Sequence, residues 1–241
     1  AVLRKRMRER NAGLGEWLLQ LLFPARCLFC GALVPPEENH PLRNVCEACE
    51  KERLQTPLLR RYSLPGAGEA GFSVFSAAAY EGGFRKTLYR FKFRGEKSLS
   101  KPLGKLLAET ARQTGQSFDG VAWVPMTKAK KRKRGYDQSE LLAREAAKTL
   151  GLPCLPLLEK RKETETQHQL PRRQRLSNVK NSYEARPEAR GKALLLVDDI
   201  VTTGATLREC AKALYEAGAA RVTGLCAADC AAVRTEEEGS P

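Results

Sequence analysis

The chain has 241 residues, carries 42 Lys and Arg against 28 Asp and Glu, and has a formal net charge of +14 at pH 7. That length accommodates one full α/β core with a small appendage, and the charge favours a polyanionic partner without specifying a fold. No apolar run reaches the roughly 18 residues that cross a bilayer, so no transmembrane segment is expected.

Residues 1–23 open with a basic arm, Arg4-Lys5-Arg6-Met7-Arg8. Leu14, Trp17, Leu18, Leu21 and Leu22 then recur at helical spacing, which predicts an amphipathic helix packed on the rest of the protein, ending before Pro24. Its alternative use, at a membrane surface, is disfavoured because the polar face lacks a Lys/Arg cluster.

Cys27, Cys30, Cys46 and Cys49 form the pattern C-x2-C-x15-C-x2-C within residues 24–57. Two such knuckles supply four thiolates to a tetrahedral Zn2+, and a segment so poor in large apolar residues needs its metal to fold. The competing reading is a pair of disulfides, and His40 is an alternative fourth ligand. Cys154, Cys210, Cys226 and Cys230 adjoin apolar segments and read as core.

Pro57 and Pro65-Gly66-Ala67-Gly68 suggest a linker, inside a main domain placed at 58–235 with a tail at 236–241. Phe72–Tyr80 reads as a strand, followed by a turn at Glu81-Gly82-Gly83. Two helices follow, marked by Phe84, Leu88 and Phe91 and by Leu103, Leu106 and Leu107, then a short strand Gly120–Val124. Six of the seven residues Lys128–Arg134 are basic and read as a loop. A helix through Leu141, Leu142 and Ala146, a strand Leu155–Leu158, and a long polar loop from Lys160 to Tyr183 come next. The alternation predicts an α/β fold, a parallel sheet flanked by helices, with ligands at the carboxyl ends of strands.

Leu194-Leu195-Leu196-Val197 reads as a strand buried on both faces, ending in Asp198-Asp199. Thr202-Thr203-Gly204-Ala205-Thr206 then opens an amphipathic helix. Carboxylates accept hydrogen bonds from vicinal hydroxyls, while a helix N-terminus attracts an anion, so a sugar diol with a 5′-phosphate satisfies both. The plainer alternative is an acidic turn followed by a threonine cap.

The run resembles the phosphoribosyl-pyrophosphate (PRPP) motif of type I phosphoribosyltransferases. The resemblance implies that Asp198 and Asp199 hold the ribose 2′- and 3′-hydroxyls and that Thr202, Thr203, Gly204, Ala205 and Thr206 wrap the 5′-phosphate. Other motifs narrow it: Tyr80-x-Gly82-x-Phe84-Arg85, Phe91-Lys92-Phe93-Arg94-Gly95, Val124-Pro125, Arg134-Gly135-Tyr136-Asp137-Gln138, Thr166-Gln167, Leu170, Arg173, Arg175 and Asn178. With the cysteine knuckles, their order is similar to the ComF family of competence proteins across nearly the whole chain. Two positions differ: Asp137 stands where the family commonly has Asn, and Met126 where a histidine often follows the Val-Pro.

This resemblance implies a cytoplasmic protein handling incoming single-stranded DNA during natural transformation, or using DNA as a nutrient, with a partner in the competence machinery. Lys128, Lys130, Lys131, Arg132, Lys133, Arg134 and Gln138 would meet a pyrophosphate or a DNA strand, with Tyr136 and Tyr183 as stacking faces. The alternative is an active phosphoribosyltransferase joining a base or other nucleophile to PRPP. Mg2+ would then bridge pyrophosphate and ribose, with Asp198 and Asp199 as the catalytic pair and Gln167, Arg173 and Arg175 on a closing lid. A third reading is a PRPP sensor whose ligand closes that lid.

Overall fold

The computed structural model describes residues 25–34, 44–53, 57–64, 66–68, 71–161 and 182–231. The expected N-terminal helix, His40, the lid residues Gln167, Arg173 and Arg175, and the tail lie outside them.

The elements run α1 (Glu47–Arg53), β1 (Leu58–Tyr62), β2 (Phe72–Ala79), α2 (Gly82–Phe93), α3 (Ser100–Gln113), β3 (Gly120–Trp123), α4 (Lys128–Arg134), α5 (Gln138–Leu150), β4 (Leu158–Lys160), β5 (Tyr183–Ala185), β6 (Ala193–Val201), α6 (Ala205–Glu216) and β7 (Arg221–Asp229). Five strands form one sheet in the order β1-β2-β7-β6-β3. All neighbours pair in parallel except β1, which runs antiparallel to β2 with Leu58 opposite Ser76 and Tyr62 opposite Phe72.

Alternation along β6 explains why both faces are covered. Leu195 and Val197 point to the side packed by Phe84, Leu88 and Phe91 of α2, Leu103 and Leu107 of α3, and Leu142 and Ala146 of α5. Leu194 and Leu196 point to the other side, against Leu207, Cys210, Ala211 and Leu214 of α6. Cys210 and Cys226 are buried as small hydrophobes, whereas Cys154 and Cys230 are half-buried.

Three segments differ from expectation. The basic run Lys128–Arg134 is a helix and not a loop. Thr127 caps it, its side chain accepting from the Lys130 N–H, and Gly135 ends it at φ 77°, its N–H donating to the Lys131 carbonyl over 2.8 Å. Leu58–Tyr62, read as the start of a linker, is the edge strand β1. The strand expected at Leu155–Leu158 is displaced to Leu158–Lys160, which pairs antiparallel with β5. Pro153 and Pro156 lack the N–H that a continuous ladder needs, so only a short parallel bridge, Val121 to Cys154, forms at the β3 edge.

Candidate functional site

The sulfur atoms of Cys27, Cys30, Cys46 and Cys49 lie within 4.8 Å of one another. A tetrahedral Zn2+ with Zn–S bonds of about 2.3 Å places its sulfurs about 3.8 Å apart, so the cluster fits this ion. All four are free, and Cys30 and Cys46 Sγ are 3.6 Å apart, beyond the roughly 2.05 Å of an S–S bond. Burial resists ionisation of Cys27, but backbone N–H groups around it win and hold its thiol at about 7. Burial and the neighbouring sulfurs push Cys49 up. Crowded thiolates of this kind are relieved by a cation.

The first knuckle is seated on α2. Thr87 Oγ1 donates to the Leu28 carbonyl over 2.9 Å, and the Phe29 and Phe84 rings stack with centroids 4.5 Å apart. Gly83 makes the approach possible, since a Cβ there would lie 1.7 Å from the Phe29 carbonyl oxygen.

The other end of α2 reaches the carboxylates. Lys92 Nζ sits 2.7 Å from Asp199 Oδ2. Ser139, in the first turn of α5, donates to Asp198 Oδ1 over 2.8 Å, and the Asp199 N–H donates to the same oxygen over 2.9 Å. Burial and the adjacent Asp199 charge push the Asp198 carboxyl up to about 7, against the pull of Ser139 and Lys92. Desolvation works against the Lys92 charge, but the facing carboxylates outweigh it and raise its pKa.

The sign of the Asp198 shift makes a prediction. Between about pH 4 and about pH 7 the folded protein keeps a proton that the unfolded chain has released, so this group's contribution to stability falls as pH rises through that window and then levels off. Denaturant unfolding measured across the window should show that loss, and Asp198→Asn should remove it.

Beyond β6 the chain turns through Thr202, Thr203 and Gly204 into α6. Gly204 is the N-cap at φ 74° and has no side chain to cap with; Thr203 Oγ1 accepts from the Ala205 N–H over 3.4 Å, and Ala205, Thr206 and Leu207 at the start of α6 line the cavity. A Cβ on Gly204 would fall 2.3 Å from Tyr62 Oη, so β1 closes off the loop from behind. Arg60 of β1 donates through Nη1 to the Thr202 carbonyl over 2.6 Å and forms an ion pair through Nη2 with buried Asp229. Arg60→Met strands that carboxylate, and a loss of about 3–5 kcal/mol is expected in chemical denaturation.

These parts line one cavity of about 790 Å³, within the range of small-molecule sites. Asp198, Asp199 and Thr202–Thr206 line it from β6 and α6, while Lys130, Lys133, Arg134 and Gln138 line it from α4 and α5. Lys128, Lys131 and Arg132 do not line it, and Lys131 instead pairs with Glu140 over 2.7 Å. Gln138 is buried, accepting from Arg134 Nη1 over 3.0 Å and donating to the Lys92 carbonyl over 3.4 Å.

Tyr136 and Tyr183 are buried and not open stacking faces, and the Tyr136 hydroxyl donates to the Phe91 carbonyl. Asp137 caps α5 by accepting from the Glu140 N–H over 3.2 Å and ties down the end of the β3 segment by accepting from the Met126 N–H over 3.0 Å. Two acceptor oxygens meet two amides, which gives this aspartate a structural role. Lys92, Ser139 and Lys160 also line the cavity and were not singled out by sequence. Lys92 lay within a quoted motif, but only the fold brings it to Asp199.

A sheet of this order, with a carboxylate pair and an open helix N-terminus at one strand end, defines a phosphoribosyltransferase-like domain. Residues 137–239 match the model of the phosphoribosyl transferase domain family. The chain is 33% identical over 145 residues to the DNA utilization protein YhgH of Salmonella typhimurium, a match covering 58% of this chain and 64% of that one. It is 31% identical over 159 residues to the YhgH of Escherichia coli K12, covering 64% and 70%, and 31% identical over 140 residues to Competence protein F of Haemophilus influenzae, covering 54% and 61%. The chain therefore spans just under two thirds of the length of the Salmonella and Haemophilus relatives. Among solved structures, the Bacillus subtilis glutamine PRPP amidotransferase complexed with ADP and GMP is 28% identical, with a TM-score of 0.38 and coverage of 54% of this chain and 26% of that one. The chain belongs to the ComF family, that of Competence protein F and YhgH. No helix among the described residues is long and apolar enough to cross a membrane.

Proposed function

We propose that the cavity binds PRPP or a related ribose phosphate with Mg2+, in a cytoplasmic protein that handles single-stranded DNA during competence or DNA utilisation. The observation that supports it best is the convergence, at the adjacent ends of β3 and β6, of a carboxylate pair, an open helix N-terminus and a cationic helix. Asp198 and Asp199 accept from the ribose hydroxyls, and the amides after Gly204 take the 5′-phosphate. Lys130, Lys133 and Arg134 neutralise the pyrophosphate.

When bound, Mg2+ would supply Lewis-acid neutralisation of the ligand's charge, and Asp198 and Asp199, the carboxylates lining this end of the cavity, would hold it. Lys92 keeps the Asp199 charge compensated until the ligand arrives. The DNA-handling part rests on the names of the relatives and on the cationic α4. Zn2+ on the four cysteines is structural, fixing the knuckle against α2.

The reading is tested by thermal stabilisation, since a ligand that binds only the folded state raises its stability. PRPP with Mg2+ should raise the melting temperature saturably, and by more than ribose 5-phosphate or inorganic pyrophosphate. An equal response to all three, or none, would reject it.

A further inference from the structure

Helix α2 buries Phe84, Thr87, Leu88 and Phe91. Tyr89 and Phe93 stand off that stripe, four residues apart, and are 49% and 48% exposed. They are the exposed large aromatics among the described residues, and their ring centroids are 5.0 Å apart at an interplanar angle of 43°. Packing among the described residues does not account for two such rings on an outward face, so their surroundings decide what they do.

Those surroundings are cationic. Phe93 lines the cavity and is half exposed, and the Arg134 guanidinium carbon lies 5.3 Å from its ring centroid. Arg134 ends α4, where Arg132 and Lys133 are exposed and have no carboxylate partner among the described residues. Bases stack on aromatic faces whatever their identity, and a basic track beside such faces holds the phosphates between them.

We propose that Tyr89 and Phe93 form a stacking platform for neighbouring bases of single-stranded DNA, with the strand's phosphates following α4. This rests on the DNA-handling reading above. A strand fits better than a free nucleotide because Tyr89 and Arg132 lie outside the cavity, where a mononucleotide seated inside it does not reach. The tilt of the rings offers two separate faces, one per base, and the platform leads the strand past the opening through which the ribose phosphate enters.

The test is fluorescence anisotropy of a labelled oligothymidylate titrated with the full zinc-loaded protein at several salt concentrations. Tyr89→Ala and Phe93→Ala should each weaken binding by about 5- to 150-fold, the range for loss of one stacked base. The slope of log affinity against log salt should stay unchanged, because stacking releases no counterions. Arg132→Ala with Lys133→Ala should instead flatten that slope by about 0.7 per lost phosphate contact. Phe93→Trp should preserve affinity, and an oligonucleotide of abasic sites should bind the wild type as weakly as oligothymidylate binds the double aromatic variant.

If the double variant binds within about twofold of wild type, or the abasic strand binds as tightly as oligothymidylate, the platform is refuted while DNA handling stands. If wild type binds no single strand at low salt, both fall. The ribose-phosphate reading, measured separately by PRPP stabilisation, is untouched by either result.

Discussion

Stripping the proposed Zn2+ from the four-cysteine cluster should unfold the knuckles and also loosen the cavity, because the knuckle contact at Gly83 and Lys92 lie only about 14 Å apart along one helix. Structural zinc contributes an apparent binding free energy of about 10–16 kcal/mol at neutral pH, well above what the buried apolar contacts of Leu28, Phe29 and Val45 can replace. Dialysis against a strong chelator should release one zinc per chain, lower the melting temperature, and expose amides of residues 82–93 to hydrogen exchange. Gly83→Ala probes the same joint without touching a ligand. Alanine is worth about 1 kcal/mol over glycine in a helix, but its Cβ would lie 1.7 Å from the Phe29 carbonyl oxygen. The clash outweighs the propensity gain, so the substitution should destabilise. Retained melting temperature after zinc release would contradict the structural role.

The second large effect concerns the carboxylate pair, whose two members respond in opposite directions. Asp199→Asn removes the ion-pair partner of Lys92 and leaves it only the Coulombic pull of Asp198, and breaking a mostly buried pair costs about 3–5 kcal/mol. Asp198→Asn removes a carboxyl that the fold already disfavours in its charged form, so at neutral pH it should be neutral or stabilising. Both should weaken PRPP binding, by about 10-fold or more for each hydrogen bond to a charged acceptor that is lost. Chemical denaturation and calorimetric titration on the two single variants separate stability from binding. A shared sign in stability would overturn the assignment of Lys92 to Asp199.

The sheet was legible where one pattern dominates. Leu194–Val197 could bury both faces only in a covered parallel sheet, and β6 lies there between β3 and β7. The cysteine spacing foretold the cluster, because two knuckles need only a loop between them. Misreadings arose where charge hid a local signal. Thr127 and Gly135 bracket the basic run as cap and stop, yet six cations in seven residues read as a solvated loop. Edge strand β1 escaped because apolar and polar residues do not alternate in Leu58-Leu59-Arg60-Arg61-Tyr62, an apolar Leu59 being one of its two exposed residues.

Contacts across long sequence separations were not legible at all. Nothing local to Lys92 says that it meets Asp199, or that Arg60 meets Thr202 and Asp229. The burial of the two tyrosines was hidden for a related reason. Tyr136 sits in a conspicuous motif but is spent inside the fold, whereas Phe93 and Tyr89 are recognised only once α2 is seen to bury its other face.

The central claim is that one cavity reads ribose with carboxylates and phosphate with the open end of α6. A crystal structure of the protein with PRPP and Mg2+ tests it directly. The account predicts ribose hydroxyls on Asp198 and Asp199, the 5′-phosphate on the amides following Gly204, and Lys92 withdrawn from its contact with Asp199. A ligand bound elsewhere, or bound in this cavity with its phosphate away from α6 and the Lys92–Asp199 pair intact, would contradict it.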